Sequence, residues 1–228
     1  MKNIAVFASG GGSAFQSVVD GVESGLIDGK IVLLVASREG IGALERAKKH
    51  GIDSAVFDKK KFSSDEEMFS AIGDELVRRG TELIVLAGYL NILPPRFVER
   101  FAKKIINIHP SLIPKYCGDG FYGMRVHRAV VENGERESGC TVHYVDEGTD
   151  TGEIIAQARV KLDADDTAES VAAKVLEKEH ELLPRVAALC KHQGKYIERK
   201  NHEKKSVDKR KRQKRRRGRG EKARRNGI

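Results

Sequence analysis

Short apolar runs recur along the chain at residues 4–8, 31–36, 55–57, 83–87 and 105–108, interrupted only by Asn107 in the last, with amphipathic stretches between them. Each run is too short for a buried helix and shows no polar alternation, which predicts strands covered on both faces. In the intervening stretches Val18, Val19 and Val22, and then Met68, Ile72, Leu76 and Val77, return at helical spacing. Strand and helix in alternation predict a doubly wound α/β fold: a mostly parallel sheet flanked by helices, with right-handed crossovers. After Pro114 the pattern changes. Residues 139–145 and 154–160 read as a pair of longer strands joined by an acidic turn, and residues 167–190 as one long helix. This portion is expected to extend the same sheet with antiparallel strands.

Charge alters the picture at one end only. The 228 residues carry a net +9, but residues 199–228 hold 16 Lys or Arg against three acids, while the preceding 198 carry 26 basic and 30 acidic side chains. A mildly acidic globular domain over residues 1–198 is therefore expected, followed by a basic tail at 199–228. The tail is nearly devoid of apolar residues and is expected to be disordered, because it cannot bury enough surface to offset the entropy of ordering. No apolar run approaches the roughly 20 residues of a membrane span. The N-terminus passes straight into the first predicted strand, with no secretory pattern, so a cytoplasmic location is expected. Cys117, Cys140 and Cys190 are odd in number and widely spaced, which points to reduced thiols instead of a disulfide framework or zinc site.

Three segments could carry chemistry. Ser9-Gly10-Gly11-Gly12-Ser13 stands where the first strand hands over to a helix. Backbone N–H groups and the helix dipole there can hold an anion, although the same glycines also suit a plain tight turn. Neither standard nucleotide loop is present, since there is no G-x-x-x-x-G-K-[ST] and Phe15 stands where a third glycine of G-x-G-x-x-G would be. A single phosphate monoester fits better. The second segment, residues 107–114 (Asn-Ile-His-Pro-Ser-Leu-Ile-Pro), follows an apolar run. Period-2 geometry turns Asn107 and His109 to one side, at the strand end where open α/β sheets bind ligands. A turn-capping histidine is the plainer alternative. In the third, residues 141–152, Thr141 and His143 share a strand face and Asp146, Glu147 and Asp150 follow in an acidic turn. A carboxylate near His109 would raise its pKa and favour the imidazolium. The acid spacing is not that of an EF-hand, and no metal is expected.

These segments, in this order, resemble the folate-dependent phosphoribosylglycinamide formyltransferases of purine synthesis across residues 1–197. The likeness is carried by residues 9–13, Leu86-Ala87-Gly88-Tyr89-Leu90-Asn91-Ile92-Leu93, residues 107–114, Val126-His127, Thr141-Val142-His143-Tyr144-Val145-Asp146, Asp150-Thr151-Gly152 and Glu179-His180. The resemblance implies formyl transfer from 10-formyltetrahydrofolate, as co-substrate, to the amine of glycinamide ribonucleotide, without a metal. It implies a catalytic set of Asn107, His109 and Asp150, with Thr141 and His143 supporting the carboxylate. It also implies contacts to the ribonucleotide from Gly12, Ser13, Ala14, Asn107 and Glu179. Folate contacts would come from Lys60, Leu90, Asn91, Ile92, Leu93, Asp146, Glu147, Gly148, Thr149 and Asp150. Two departures stand out: Ala14 where the family usually has asparagine, and Lys60 where arginine is common, so that a side-chain amide and a bidentate contact are lost.

Methionyl-tRNA formyltransferases share the H-P-S-L-hydrophobic-P segment but normally carry a folded C-terminal domain, where here only the basic tail follows. No aromatic residue occurs after Tyr196, so base stacking is unavailable and the tail is expected to give no more than weak, non-specific polyanion or RNA binding that fades with salt. The partners expected are small-molecule substrates, with no membrane. Deletion of residues 199–228 is expected to leave formyl transfer unchanged in a steady-state assay, and a large loss of turnover would show the tail to be part of the catalytic unit.

Overall fold

The computed structural model describes residues 1–190; the expected tail at 199–228 and the domain boundary at 198 lie outside the described residues. The elements in chain order are β1 (Lys2–Ala8), α1 (Ser13–Glu23), β2 (Gly29–Ala36), α2 (Gly42–Lys49), β3 (Ser54–Val56), α3 (Asp65–Arg78), β4 (Leu83–Leu86), α4 (Pro95–Arg100), β5 (Ile105–His109), α5 (Met124–Glu132), β6 (Glu137–Tyr144), β7 (Ile154–Lys161) and α6 (Ala168–Leu189). A short 3-10 turn, Lys59–Lys61, precedes α3.

The strands form one sheet in the order β3-β2-β1-β4-β5-β6-β7. The first five run parallel, β6 pairs antiparallel with β5, and β7 antiparallel with β6. Winding reverses beside β1, whose neighbours are β2 and β4. At such a switch point the loops leave in opposite directions and open a crevice at the strand carboxyl ends. Here the crevice walls are tied together: Ser9 N–H donates to the Gly88 carbonyl (3.1 Å) and Leu90 N–H to Ser9 Oγ (3.0 Å).

The period-2 geometry of β1 sorts the core into two layers. Ile4, Val6 and Ala8 pack with Phe15 and Val18 of α1 and Val171, Val175 and Leu183 of α6. Ala5 and Phe7 face the other way, toward Met68, Phe69 and Ile72 of α3 and Phe97 of α4. Edge-to-face rings join this second layer to the crevice, with Phe7–Tyr89 and Phe69–Phe97 centroids each 5.1 Å apart. Complete burial of each such side chain contributes about 1.5–3 kcal/mol, so the crevice floor is fixed by the core itself.

Helix starts differ in a way that bears on function. In α3 the Ser64 side chain accepts from Glu67 N–H, and α6 begins with a capping box between Thr167 and Ser170. Helix α1 has no side-chain cap: Gly12 holds the cap position at φ 74°, and a Cβ there would lie 2.8 Å from Ala43. Its first N–H groups are left for another acceptor.

Three helices escaped the sequence pattern. In α2 only Ala43 and Ala47 are buried, α4 spans six residues, and α5 follows a glycine-rich loop. Small buried residues and short spans leave too little periodicity to detect. Val77, which fitted the helical spacing, lies on the outer side of α3 and is 58% exposed.

Candidate active site

A cavity of about 840 Å³ opens at the carboxyl ends of β1, β4 and β5 and is flanked by the loops after β5 and β6. That volume lies within the range of small-molecule sites. Of the residues singled out in the sequence, Gly12, Ser13, Ala14, Leu90, Asn91, Ile92, Leu93, Asn107, His109, His143, residues 146–150 and Glu179 line it. Lys60 and Thr141 do not. Lys60 is exposed on the 3-10 turn, outside the cavity wall.

At the floor, Asp150 gathers the polar groups. His109 Nδ1 lies 3.3 Å from Asp150 Oδ2 and His143 Nε2 lies 3.5 Å from Oδ1. Asn107 Nδ2 donates to Oδ1 at 3.4 Å and Gly118 N–H to Oδ2 at 3.1 Å. Pairing of β5 with β6 explains the convergence, since Asn107 stands opposite His143 and His109 opposite Thr141, and directly opposed residues share a face. Burial works to raise the Asp150 pKa, but the His143 hydrogen bond, the His109 charge and the Gly118 N–H together hold it below the ordinary value. The carboxylate is therefore ionised although its side chain is only 11% exposed.

Thr141 has a different role from the one the resemblance implied. Its hydroxyl donates to the Ser111 carbonyl (2.7 Å) and accepts from Ile113 N–H (3.1 Å) and Gln157 Nε2 (3.0 Å). It braces the loop after His109 instead of the carboxylate.

His109 also departs from expectation. Burial is the largest influence and lowers its pKa, Asp150 and the Tyr116 carbonyl pull it up, His143 pushes it down, and the net shift is downward. Its Nε2 lies 2.8 Å from the Tyr116 carbonyl, so both nitrogens face acceptors. A neutral ring carries one N–H and can satisfy only one of them. The site is thus poised: desolvation favours the neutral ring, while its two acceptors favour the imidazolium.

Sequence reasoning missed the loop between β5 and α5, which supplies the Tyr116 carbonyl, the Gly118 N–H and the wall at residues 118–124. The available signal was the run Cys117-Gly118-Asp119-Gly120-Phe121-Tyr122-Gly123, whose three glycines all have positive φ. His127 of α5 also reaches the cavity, and its pKa is lowered by burial and then by His109. Among the described residues no cluster of three or more His, Cys, Asp or Glu is placed to hold a metal ion, and no helix is long and apolar enough to cross a membrane.

The profile of the formyl transferase family matches residues 2–187. The chain is 44% identical over 199 residues to a chloroplastic phosphoribosylglycinamide formyltransferase of Arabidopsis thaliana, covering 86% of this chain and 68% of that one. It is 44% identical over 186 residues to the phosphoribosylglycinamide formyltransferase of Haemophilus influenzae, covering 82% and 85%. Among solved structures, glycinamide ribonucleotide transformylase 1 of Geobacillus kaustophilus superposes with a TM-score of 0.78 at 38% identity, covering 83% of this chain and 98% of that one. With the family profile spanning nearly all of the described residues and these relatives in both sequence and structure, the chain belongs to the formyl transferase family of enzymes, among the phosphoribosylglycinamide formyltransferases.

Proposed function

We propose that this enzyme transfers the formyl group of 10-formyltetrahydrofolate to the amine of glycinamide ribonucleotide, a step of de novo purine (IMP) synthesis. The observation that carries the reading is the ionised Asp150 between His109, His143 and Asn107, at the floor of a cavity whose two sides differ in chemistry. On one side lie the uncapped N–H groups of α1 at Gly12, Ser13 and Ala14, suited to a phosphate monoester. On the other, Leu90 and Ile92, 63% and 72% exposed, stand with residues 146–150. The apolar surface of Leu90 and Ile92 suits the face of a flat heterocycle such as the pterin, and the polar residues 146–150 suit its hydrogen-bonding edge.

In this reading the glycinamide nitrogen attacks the formyl carbon and the carbonyl π pair moves to oxygen. Asn107 donates to that oxyanion, and so does protonated His109, by giving up the longer of its two contacts, Nδ1 to Asp150 Oδ2 at 3.3 Å. The 3.4 Å contact from Asn107 to Asp150 is weak enough for the amide to exchange it for the developing charge. A negative oxyanion beside His109 also raises the imidazole pKa, so the proton is held most strongly when the transition state needs it. Collapse breaks the bond from carbon to the folate nitrogen. The amine proton passes to that nitrogen through a water held by Asp150. No covalent enzyme intermediate is formed and no metal takes part.

Glu179 serves the acceptor. Burial alone pushes its pKa up to about 7, and it has no hydrogen-bond partner among the described residues although it lines the cavity. A carboxyl in that state can accept from, or donate to, the hydroxyls of the ribonucleotide.

Three outcomes are expected. With 10-formyltetrahydrofolate and glycinamide ribonucleotide, methionyl-tRNA and water offered as competing acceptors, folate turnover should require the ribonucleotide; turnover only with tRNA would overturn the assignment. His109→Ala and Asp150→Asn should each lower kcat by about 100-fold or more. Because Asp150 pulls the His109 pKa upward, residual kcat/KM in Asp150→Asn should also decline with rising pH at a lower pH than in wild type. For Glu179 the folded pKa lies above the unfolded value of 4.5, so the folded state binds the extra proton between about pH 4.5 and 7. Stability is then lost as pH rises through that window, by up to about 3 kcal/mol, an upper bound because the cavity admits water. Glu179→Gln should remove this loss, and urea unfolding at pH 5 and pH 8 would reveal it as a gain confined to the higher pH.

A further inference from the structure

The cavity presents a charge problem. Its wall carries five acids, Asp119, Asp146, Glu147, Asp150 and Glu179, and among the described residues no Lys or Arg lines it. A phosphate monoester carries between one and two negative charges near neutral pH. Backbone N–H groups and the α1 dipole, about half a charge, oppose it, and Ala14 adds no side-chain donor.

A cation does lie immediately behind the loop. Arg46, on α2, donates from Nε to the Gly11 carbonyl at 2.9 Å and from Nη1 to Gln16 Oε1 at 3.2 Å. Among the described residues its guanidinium forms no ion pair, so no carboxylate contact neutralises it. The Gly11 carbonyl belongs to the same peptide unit as the Gly12 N–H. A charged donor on that oxygen draws electron density from the nitrogen and makes the N–H on the opposite side a stronger donor. The arrangement is rigid as well. Ala43 N–H donates to the Gly10 carbonyl at 3.2 Å, and Gly12 packs so closely on Ala43 that a Cβ would lie 2.8 Å away. Gln16, which receives Arg46, is itself held by Asp20 at 2.8 Å and faces His50, whose Nδ1 is 2.7 Å from Glu23.

We infer that Arg46 is a positioning residue for the acceptor's phosphate: without touching the ligand, it charges the Gly11–Gly12 peptide and thereby tightens binding of a phosphate monoester at the α1 N-terminus. The inference rests on the proposed use of that loop for the ribonucleotide phosphate. It assigns α2 a part in acceptor selection and predicts that the effect of Arg46 depends on the acceptor's phosphate and on nothing else in the substrate.

The test compares full-length wild type, Arg46→Met and Arg46→Lys with two acceptors, glycinamide ribonucleotide and its dephosphorylated nucleoside, and adds inorganic phosphate as competitive inhibitor. Arg46→Met keeps an apolar stem and removes the charge. It should lower kcat/KM for the ribonucleotide by roughly 10- to 100-fold, the range for a hydrogen bond to a charged group, chiefly through KM. The inhibition constant for phosphate should rise in parallel, and turnover of the nucleoside should stay within about two-fold of wild type. Arg46→Lys should recover part of the loss. Equal losses on both acceptors, or an unchanged ribonucleotide KM, would overturn the inference. Normal turnover of the nucleoside shows that a variant is folded; if Arg46→Met does not fold, the same acceptor comparison in Arg46→Lys decides. Wild type that fails to distinguish the two acceptors would instead defeat the phosphate-loop reading beneath it.

Discussion

A carboxylate largely withdrawn from bulk water needs donors around it, and the cavity floor is organised around meeting that demand for Asp150. Three distant stretches of chain answer it: Asn107 and His109 from β5, Gly118 from the loop beyond, and His143 from β6. Loss of one donor would leave the charge underpaired, at about 1–3 kcal/mol or more for a charged group. The same contacts that keep Asp150 ionised therefore hold Asn107, His109 and His143 together at the cavity floor.

The turn that presents Asp150 is built for the purpose. Asp146 Oδ1 accepts from Gly148 N–H and from the Thr151 hydroxyl, which closes the loop on itself. Gly152 lies so close to β6 that a Cβ would run into the Tyr144 carbonyl. Asp150 itself sits at φ 58°, a left-handed conformation that Asp tolerates better than most residues. Backbone strain is accepted where it aims the carboxylate at His109.

Electrostatics divides the cavity between two carboxyl groups. Asp150 is held low by hydrogen bonds and nearby imidazoles, whereas Glu179 is raised to about 7 by burial without a partner. Two acids of similar intrinsic strength thus enter different protonation states because one is given donors and the other is not. At the other end of the cavity the lining is the uncapped N-terminus of α1, with Arg46 bonded to the Gly11 carbonyl behind it.

The sheet was legible because its strands are continuous apolar runs, and β1, β2, β4 and β5 fall within a few residues of the predicted spans. The order of Asn107, His109 and Asp150 along the chain was legible too, since a one-residue gap in a strand places two side chains on one face whatever the surroundings. Other features could not be read. Helix α2 carries its buried stripe on two alanines, and Arg46 looks like an ordinary surface cation until α2 packs on Gly12. The Tyr116 carbonyl and Gly118 N–H are backbone groups, to which no residue type corresponds. Nor could the sequence decide whether Asp150 or burial controls His109, because desolvation depends on how closely the loops shut. By itself the sequence determined which residues lie on strands, which faces they share and which chemistry the chain carries. Tertiary structure alone decided protonation, the bracing contacts of Thr141 and the placement of Lys60 outside the cavity wall, because each depends on distances between segments far apart in the chain.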